Sequence, residues 1–307
     1  MKKFFFILFF IFFLFENNKV NAVENKILLK INNNIITSVD IFNEVNYLAL
    51  INKNFKELEN IKTFQIAKNS LIKQNIQEIE LLKNFKELKI DEKYSNNLIK
   101  NYYENLGFDS YEEFIKHIKY NNVDINIIKK KITIEVLWNQ LIYRKFSSNV
   151  KIDKEEIKKN LSKNEKINEY LLSEIVFSTE KKEDLNIKLK EIKNTIKTEG
   201  FAKAALEHSI SDTANNSGEL GWIKENFISK KINQELKKLK VNEYTNPIKV
   251  PGGFLILRIN DLKEINKQID LEKETNLIVR KQTNDQLNQF SNIYFNKIKK
   301  NIKINEI

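Results

Sequence analysis

The 307-residue sequence contains no cysteine, two histidines and two prolines. Without cysteine the protein cannot form disulfides, use a thiol as a nucleophile or bind a metal through thiolates. Two histidines are too few for most zinc sites. We find no P-loop, no Gly-x-Gly-x-x-Gly motif and no His-Glu-x-x-His motif. The sequence therefore predicts a protein that uses no metal and no other cofactor.

The charged residues argue against two further classes of protein. The formal net charge is +11, from 52 Lys and Arg against 41 Asp and Glu, but the basic residues are nearly all Lys and are spread over every segment. A nucleic-acid-binding protein concentrates such charge in a patch, so we expect no nucleic-acid partner. His208, Ser209 and Asp212 have the residue types of a hydrolase triad, but neighbours in sequence rarely point at one another, and no nucleophile elbow surrounds them.

A single long hydrophobic run lies at the N-terminus. After Met1 and two lysines, residues 4–15 are all apolar, which suits a signal-peptide core and is short for a membrane span of about 20 residues. Small residues precede a plausible cleavage site after Ala22. We therefore expect residues 1–22 to be a signal peptide and the exported protein to have no stable membrane insertion. The alternative is an uncleaved anchor.

Residues 23–165 have the apolar spacing of helices, preceded by a hairpin. Three asparagines at 32–34 separate two short apolar segments and predict a turn between strands. Thr37 and Asp40 then resemble a capping box at the start of a helix. Periodic apolar positions, with Leu82 among those expected to face inward, predict further helices over 62–88, 92–106 and 125–146.

The distribution of glycine changes along the chain and indicates a second domain. Six glycines are present, and all those after Gly107 lie between Gly200 and Gly253. The pattern in this region predicts a strand at 170–178, helices at 184–197 and 201–208, and a loop at 209–221. A short helix at 230–239 and strands at 246–250 and 254–259 are predicted to follow. Residues 266–300 return to a helical pattern, and residues 301–307 alternate like a strand.

The loop region resembles a known family. Residues 205–212 (ALEHSISD) and 217–222 (SGELGW) resemble the signature of parvulin prolyl isomerase domains, and residues 247–258 resemble the last two strands of that fold. The other segments resemble the SurA-type periplasmic chaperones. The resemblance implies an α+β fold in which a helical domain (23–165) is completed by a docking C-terminal helix and strand (266–307). A parvulin-like (PpiC-type, FKBP-like) domain at 166–265 is inserted between them.

The resemblance also implies a site for the proline ring. Leu220, Ile228 and Ile232 would build the ring pocket, although the family prefers Met and Phe at the last two positions. Three further residues are candidates for substrate binding, namely Trp222, His208 and Leu255. On sequence alone, the pocket residues could equally be ordinary core residues.

The polar part of the implied site departs from the family pattern. Active parvulins usually hold two histidines on adjacent strands, and the corresponding positions here are Glu174 and Leu255. The remaining catalytic candidates are Ser211, Asp212 and Glu174. Isomerase activity is therefore expected to be weak or lost.

The resemblance predicts a periplasmic, monomeric chaperone that binds unfolded exported or outer-membrane polypeptides. Two alternatives stay open: an active isomerase with a divergent pocket, and a membrane-tethered folding factor. Six aromatic residues are candidates for a client-binding surface, with the alternative that most are core: Tyr102, Tyr103, Phe108, Phe114, Trp138 and Tyr143.

Overall fold

The computed structural model describes residues 25–161, 166–179, 182–266 and 271–307. The predicted signal peptide and its cleavage site at Ala22 lie outside these residues. Within the described ranges, no helix combines the length and the apolar character needed to cross a membrane. Helices and two antiparallel sheets make up the fold, which confirms the predicted α+β class.

The chain begins with the predicted hairpin, formed by β1 (Ile27–Ile31) and β2 (Asn34–Thr37). Asn32 adopts a left-handed backbone conformation in the turn, with φ of 51°, which asparagine tolerates better than most residues. Thr37 then caps helix α1 (Ser38–Ile51) in a full capping box, because its hydroxyl accepts from the Asp40 N–H and the Asp40 carboxylate accepts from the Thr37 N–H.

Five further helices form the rest of the N-terminal half. A short 3₁₀ helix at Lys53–Glu57 precedes them, and their bounds are α2 (Asn60–Asn84), α3 (Glu92–Asn105), α4 (Tyr111–Tyr120), α5 (Ile125–Phe146) and α6 (Lys154–Leu161). Helix α2 ends four residues before the predicted end at 88. The expectation that Leu82 faces inward is wrong, since its side chain is 56% exposed while Leu81 is fully buried.

The C-terminal segment packs on this N-terminal half. Helix α10 (Leu271–Lys299) contacts α5 and α2, and Trp138 Nε1 donates a 2.8 Å hydrogen bond to Ser291 Oγ. Strand β7 (Ile304–Glu306) pairs antiparallel with β1, so the small sheet has the order β2-β1-β7. The first and last strands of the described chain therefore lie in one sheet.

A four-stranded antiparallel sheet of order β4-β3-β6-β5 lies between α6 and α10 in sequence. Its strands and accompanying helices are β3 (Lys166–Phe177), α7 (Lys182–Glu199), α8 (Phe201–His208), β4 (Glu219–Lys224), α9 (Lys230–Leu236), β5 (Ile248–Val250) and β6 (Gly253–Asn266). The sequence predicted helices α7 and α8 but not strand β4. It predicted the last strand at 254–259, whereas β6 extends to Asn266. The domain boundaries at 165/166 and 265/266 stay a prediction.

The two faces of this sheet hold different apolar clusters. One face carries Leu172, Leu255 and Leu257 and is covered by α9. The other carries Ile175 and Phe177 and is covered by α7 and α8. The alternation of side chains along β3 and β6 produces this division, and it decides which of the candidate site residues can meet.

Candidate functional site

Four of the six predicted substrate-binding residues lie in one apolar cluster. Leu255 is buried in it, and Leu220, Ile228 and Ile232 are half-buried against it. Leu220 comes from β4, Leu255 from β6, and the two isoleucines lie just before and within α9. The sheet and this short helix thus form an apolar patch that stays partly exposed to solvent, which we call the apolar pocket after its predicted role.

A hydrogen-bonded group of three polar residues lies beside the apolar pocket. The Ser211 hydroxyl donates to Glu174 Oε1 at 2.6 Å, and the Thr213 hydroxyl donates to the same oxygen at 2.8 Å. Leu172 and Val176 belong to the pocket cluster, so alternation along β3 places Glu174 on the same face of the sheet. The structure therefore brings together two of the three predicted catalytic residues and adds Thr213.

Thr213 was missed by the sequence analysis. The Ser211 hydroxyl accepts from the Thr213 N–H at 3.4 Å and caps a 3₁₀ helix at Asp212–Asn216. The Thr213 hydroxyl lies 3.0 Å from Ser211 Oγ. This Ser-x-Thr spacing was the available signal.

The loop that carries these hydroxyls is attached to β3 at Glu174 and at Val176. Ser209 Oγ accepts from the Val176 N–H at 3.0 Å, and the Gly218 carbonyl accepts from the Glu174 N–H at 2.7 Å. Gly218 has φ of 75°, and a Cβ placed there would lie 2.1 Å from the Glu174 carbonyl oxygen. Only glycine permits this close approach, which gives the glycine of the signature a structural reason.

Asp212 points away from this group and toward the N-terminal helices between Ser38 and Leu161, which we call the helical part. Its carboxylate pairs with Lys73 of α2 at 2.7 Å, and its side chain is 86% exposed. The Lys73 ammonium holds the pKa of Asp212 below its ordinary value. The predicted catalytic role of Asp212 stays a prediction, without support from its position.

Trp222 lies apart from the apolar pocket. Gly221 has φ of 73°, and the β3–β4 register shifts beside it, so Leu220 and Ile223 both face the pocket cluster although they are three residues apart. This bulge turns the intervening Trp222 to the opposite face. There the ring is 40% exposed, and Lys263 Nζ lies 3.9 Å from its centroid.

His208 also lies on the far side of the sheet. Its side chain is 7% exposed, Nε2 lies 2.9 Å from Thr195 Oγ1, and Nδ1 lies 3.3 Å from Lys188 Nζ. Both partners belong to α7. Burial, together with the Lys188 charge, lowers the pKa of His208 below its ordinary value of 6.5. The residue therefore packs α8 on α7.

The polar group lacks a free hydrogen-bond donor. Turning a prolyl peptide bond means crossing a barrier of about 18–20 kcal/mol, and a protein lowers such a barrier by directing polar groups at the twisted amide. An ionised carboxylate only accepts hydrogen bonds. Both hydroxyl protons beside Glu174 are already donated to it. This arrangement can hold an apolar ring next to polar groups but offers the amide no ready donor.

The six aromatic candidates for a client surface divide into core and surface residues. Phe114 is fully buried and Trp138 is 4% exposed, so the core alternative is right for both. Tyr102, Tyr103 and Phe108 are half-buried and pack around Phe114. Tyr143 is 57% exposed and is the one member of the six that presents most of its ring to solvent.

Part of the chain matches a known domain family, and the chain is similar to known folding factors. Residues 152–261 match the family model of the rotamase PPIC-type PPIase domain. The chain is similar to the chaperone SurA of Pseudomonas putida, with 22% identity over 163 residues that cover 50% of this chain and 38% of that protein. It is also similar to the foldase protein PrsA of Geobacillus kaustophilus, with 36% identity over 87 residues that cover 28% of this chain and 31% of that protein.

A solved structure of a SurA-like chaperone from Campylobacter jejuni covers 92% of this chain and 99% of its own, at 16% identity and a TM-score of 0.36. The chain spans less than half of the length of the two curated relatives. The family match and the similarity to SurA agree with the signature at 205–222. Residues 152–261 therefore belong to the PPIC-type rotamase domain family, and the chain is similar to SurA-type chaperones.

Proposed function

We propose that this protein is an exported folding chaperone whose parvulin-like domain binds proline-containing segments of unfolded chains and turns them over weakly or not at all. The observation that carries the proposal is the pairing of Ser211 and Thr213 with Glu174 beside an open apolar pocket. Binding of a proline ring needs the apolar pocket, whereas turnover needs polar groups that can act on the amide. Only the apolar pocket is available, because the hydroxyls of Ser211 and Thr213 are bonded to Glu174.

The apolar pocket supplies the means of binding. Leu220, Ile228 and Ile232 are half-buried, so a ring placed against them would cover apolar surface that is now in contact with water. Burial of such surface contributes roughly 25 cal/mol per Å². A proline ring is apolar and rigid, and therefore loses little conformational entropy on binding.

The polar group supports weak turnover. Glu174 stands where active members usually have histidine, and it occupies both neighbouring hydroxyl groups as an acceptor. A client amide would have to compete with a carboxylate for those protons. Charge-assisted hydrogen bonds to a carboxylate are stronger than those to a neutral acceptor, so the competition favours Glu174.

The clients are unfolded polypeptides in this proposal, with exported or outer-membrane proteins as the class. The predicted signal peptide at 1–22 supports export to the periplasm. The N-terminal helices present several large apolar side chains to solvent, including Phe42, Phe64, Tyr94 and Tyr143. We propose that these side chains contact the clients. We propose that the working unit is a monomer.

The test is a titration of the protein, without residues 1–22, with a short fluorescein-labelled peptide that contains one Phe-Pro bond. Leu220→Lys places a charge in the apolar pocket and is expected to weaken binding at least about tenfold, or about 1.4 kcal/mol. Leu262→Lys is the matched control, because Leu262 is a leucine of β6 that is 38% exposed. Equal affinities of the two variants, or no binding by the wild type, would overturn the proposal.

The second candidate function is an active prolyl isomerase. The match of residues 152–261 to a family model described as a rotamase favours it. In that case Glu174, Ser211 and Thr213 would act on the client amide despite their mutual hydrogen bonds. Acceleration of proline-limited refolding that Leu220→Lys abolishes would establish this alternative.

A further inference from the structure

The loop at residues 209–218, which we call the site loop, is attached to two different parts of the molecule. Its first half carries Ser211 and Thr213, which donate to Glu174. Its second half carries Asn215 and Ser217, which bond to the start of the 3₁₀ helix that follows α1. The helical part thus contacts the same loop that supplies the hydroxyls of the candidate site.

Asn52 makes the central contact from the helical part. Its side-chain amide donates to the Asn215 carbonyl at 2.6 Å and to Ser217 Oγ at 3.2 Å, while its Oδ1 accepts from the Asn54 N–H at 2.9 Å. Asn52 is 4% exposed. A buried polar side chain is retained where its hydrogen bonds are satisfied, and here its side-chain donor bonds end on the site loop.

Ser217 accepts a hydrogen bond from the Asn52 side chain. It is 2% exposed and adopts a left-handed backbone conformation with φ of 56°, which costs free energy for any residue other than glycine. Its hydroxyl also accepts from Asn54 Nδ2 at 2.9 Å. Contacts from the helical part therefore stabilise an unfavourable backbone conformation in the site loop.

Ser217 is linked to the candidate site through Gly218, the next residue in the chain. Gly218 follows Ser217, donates its N–H to the Thr213 carbonyl at 2.8 Å, and accepts from the Glu174 N–H at 2.7 Å. A change in the backbone at Ser217 would move Gly218, and Gly218 has no free space against β3. The position of the Thr213 hydroxyl therefore depends on the contact made by Asn52.

We propose that Asn52 is a positioning residue of the prolyl-binding site, supplied by the helical part through Ser217. The inference rests on the proposed function for its consequence in client binding, but not for the coupling itself. It means that the helical part and the parvulin-like domain are not independent binding modules. The geometry of the Glu174 group in the intact chain depends on their contact.

Other pairs across the same contact do not touch the site loop and provide matched controls. Lys203 of α8 pairs with Glu57 at 3.5 Å, and Lys62 of α2 pairs with Glu207 at 3.2 Å. Lys203→Ala removes an ion pair between the same two parts of the molecule. It leaves Asn52, Ser217 and the site loop in place.

The experiment measures amide hydrogen exchange and peptide affinity in Asn52→Ala and Lys203→Ala, using the chain without residues 1–22. Asn52→Ala is expected to speed exchange of the Gly218 and Glu174 amides at least about tenfold and to weaken binding of the Phe-Pro peptide about five- to tenfold. Lys203→Ala is expected to leave both within about twofold of wild type. Exchange in Asn52→Ala that matches Lys203→Ala would overturn the proposal.

A second variant keeps the test decisive if Asn52→Ala does not fold. Ser217→Ala removes the hydroxyl from the loop side and is expected to speed exchange of the same two amides. Unchanged exchange of these amides in Ser217→Ala would contradict the proposal. Where Asn52→Ala does fold, the effects of the two substitutions in the double variant should be less than additive, because each breaks the same contact; full additivity also contradicts the proposal. If the wild type binds no peptide, the proposed function fails while the exchange data still decide the role of Asn52.

Discussion

The hydroxyl of Ser211 donates a 2.6 Å hydrogen bond to the carboxylate of Glu174, which occupies a strand position where active parvulins usually have histidine. Thr213 donates to the same carboxylate oxygen. The candidate site therefore contains a carboxylate that binds two hydroxyl groups. A strand, a loop and a short 3₁₀ helix meet at this carboxylate, so its hydrogen bonds have consequences for stability as well as for chemistry.

Ser211→Ala is expected to lower the free energy of unfolding by about 1–2 kcal/mol, because it removes a hydrogen bond to a charged group in a half-buried site. Chemical denaturation measures this change. Ser148→Ala is the control, since the Ser148 hydroxyl makes an exposed 3.4 Å contact with Asn149, and its effect should stay within about 0.5 kcal/mol. Equal effects of the two substitutions would contradict the described role of Glu174.

Gly218→Ala should destabilise the protein by more than about 2 kcal/mol, because the new Cβ would meet the Glu174 carbonyl oxygen at 2.1 Å and φ is 75°. Gly107→Ala separates the steric clash of the new Cβ from the backbone strain of a positive φ. Gly107 has φ of 86°, but a Cβ placed there would have nothing within 4 Å, so only backbone strain applies there, at about 1–2 kcal/mol. Thermal unfolding of both variants measures the difference, and similar melting temperatures would rule out the close approach at Gly218.

Part of this structure follows from local sequence patterns. The Thr37–Asp40 capping box, helix α5 at Ile125–Phe146 and helix α8 at Phe201–His208 were predicted from caps and apolar spacing alone. In these elements the side chains that decide the structure lie within one or two helical turns of each other. The pocket residues were predicted through the family resemblance, which carries tertiary information that spacing does not.

The errors arise where contacts distant in sequence override local patterns. Strand β4 was missed because a bulge at Gly221 interrupts the alternation that identifies strands. The same bulge places Trp222 opposite Leu220. Thr213 was missed because its partner, Glu174, is 39 residues away in sequence.

The stability of the protein should fall at acid pH through His208. The buried imidazole has a pKa below 6.5, so the unfolded chain binds a proton more readily than the folded one does. Stability from this residue is therefore present above about pH 6.5 and is lost as pH falls below it. Lys188, Lys62, Glu191 and Glu207 are the charged groups that act on it.

The measurement is the free energy of unfolding of the wild type and of His208→Gln between about pH 7.5 and about pH 5. The wild type should lose stability relative to the variant as the pH falls, since other titrating groups contribute equally to both. A constant difference across this range would contradict a lowered pKa for His208.

The docking of helix α10 should depend on Tyr294. Its hydroxyl donates to the Glu80 carboxylate of α2, and its ring packs against Trp138 and Phe146. Tyr294→Phe keeps the ring and removes the hydrogen bond, which should cost about 1–3 kcal/mol because the acceptor is charged and buried. Tyr143→Phe, at a ring that is 57% exposed, should change the free energy of unfolding by less than about 0.5 kcal/mol. Similar values for the two variants would contradict this role.

The most direct test of the central claim is a proline-limited refolding assay with the chain without residues 1–22. An uncatalysed prolyl bond relaxes in tens to hundreds of seconds, and the account predicts that the protein leaves this rate nearly unchanged while it binds the Phe-Pro peptide through Leu220. Strong acceleration by the wild type, lost in Leu220→Lys and kept in Leu262→Lys, would contradict the account and make the Glu174 group a catalytic site.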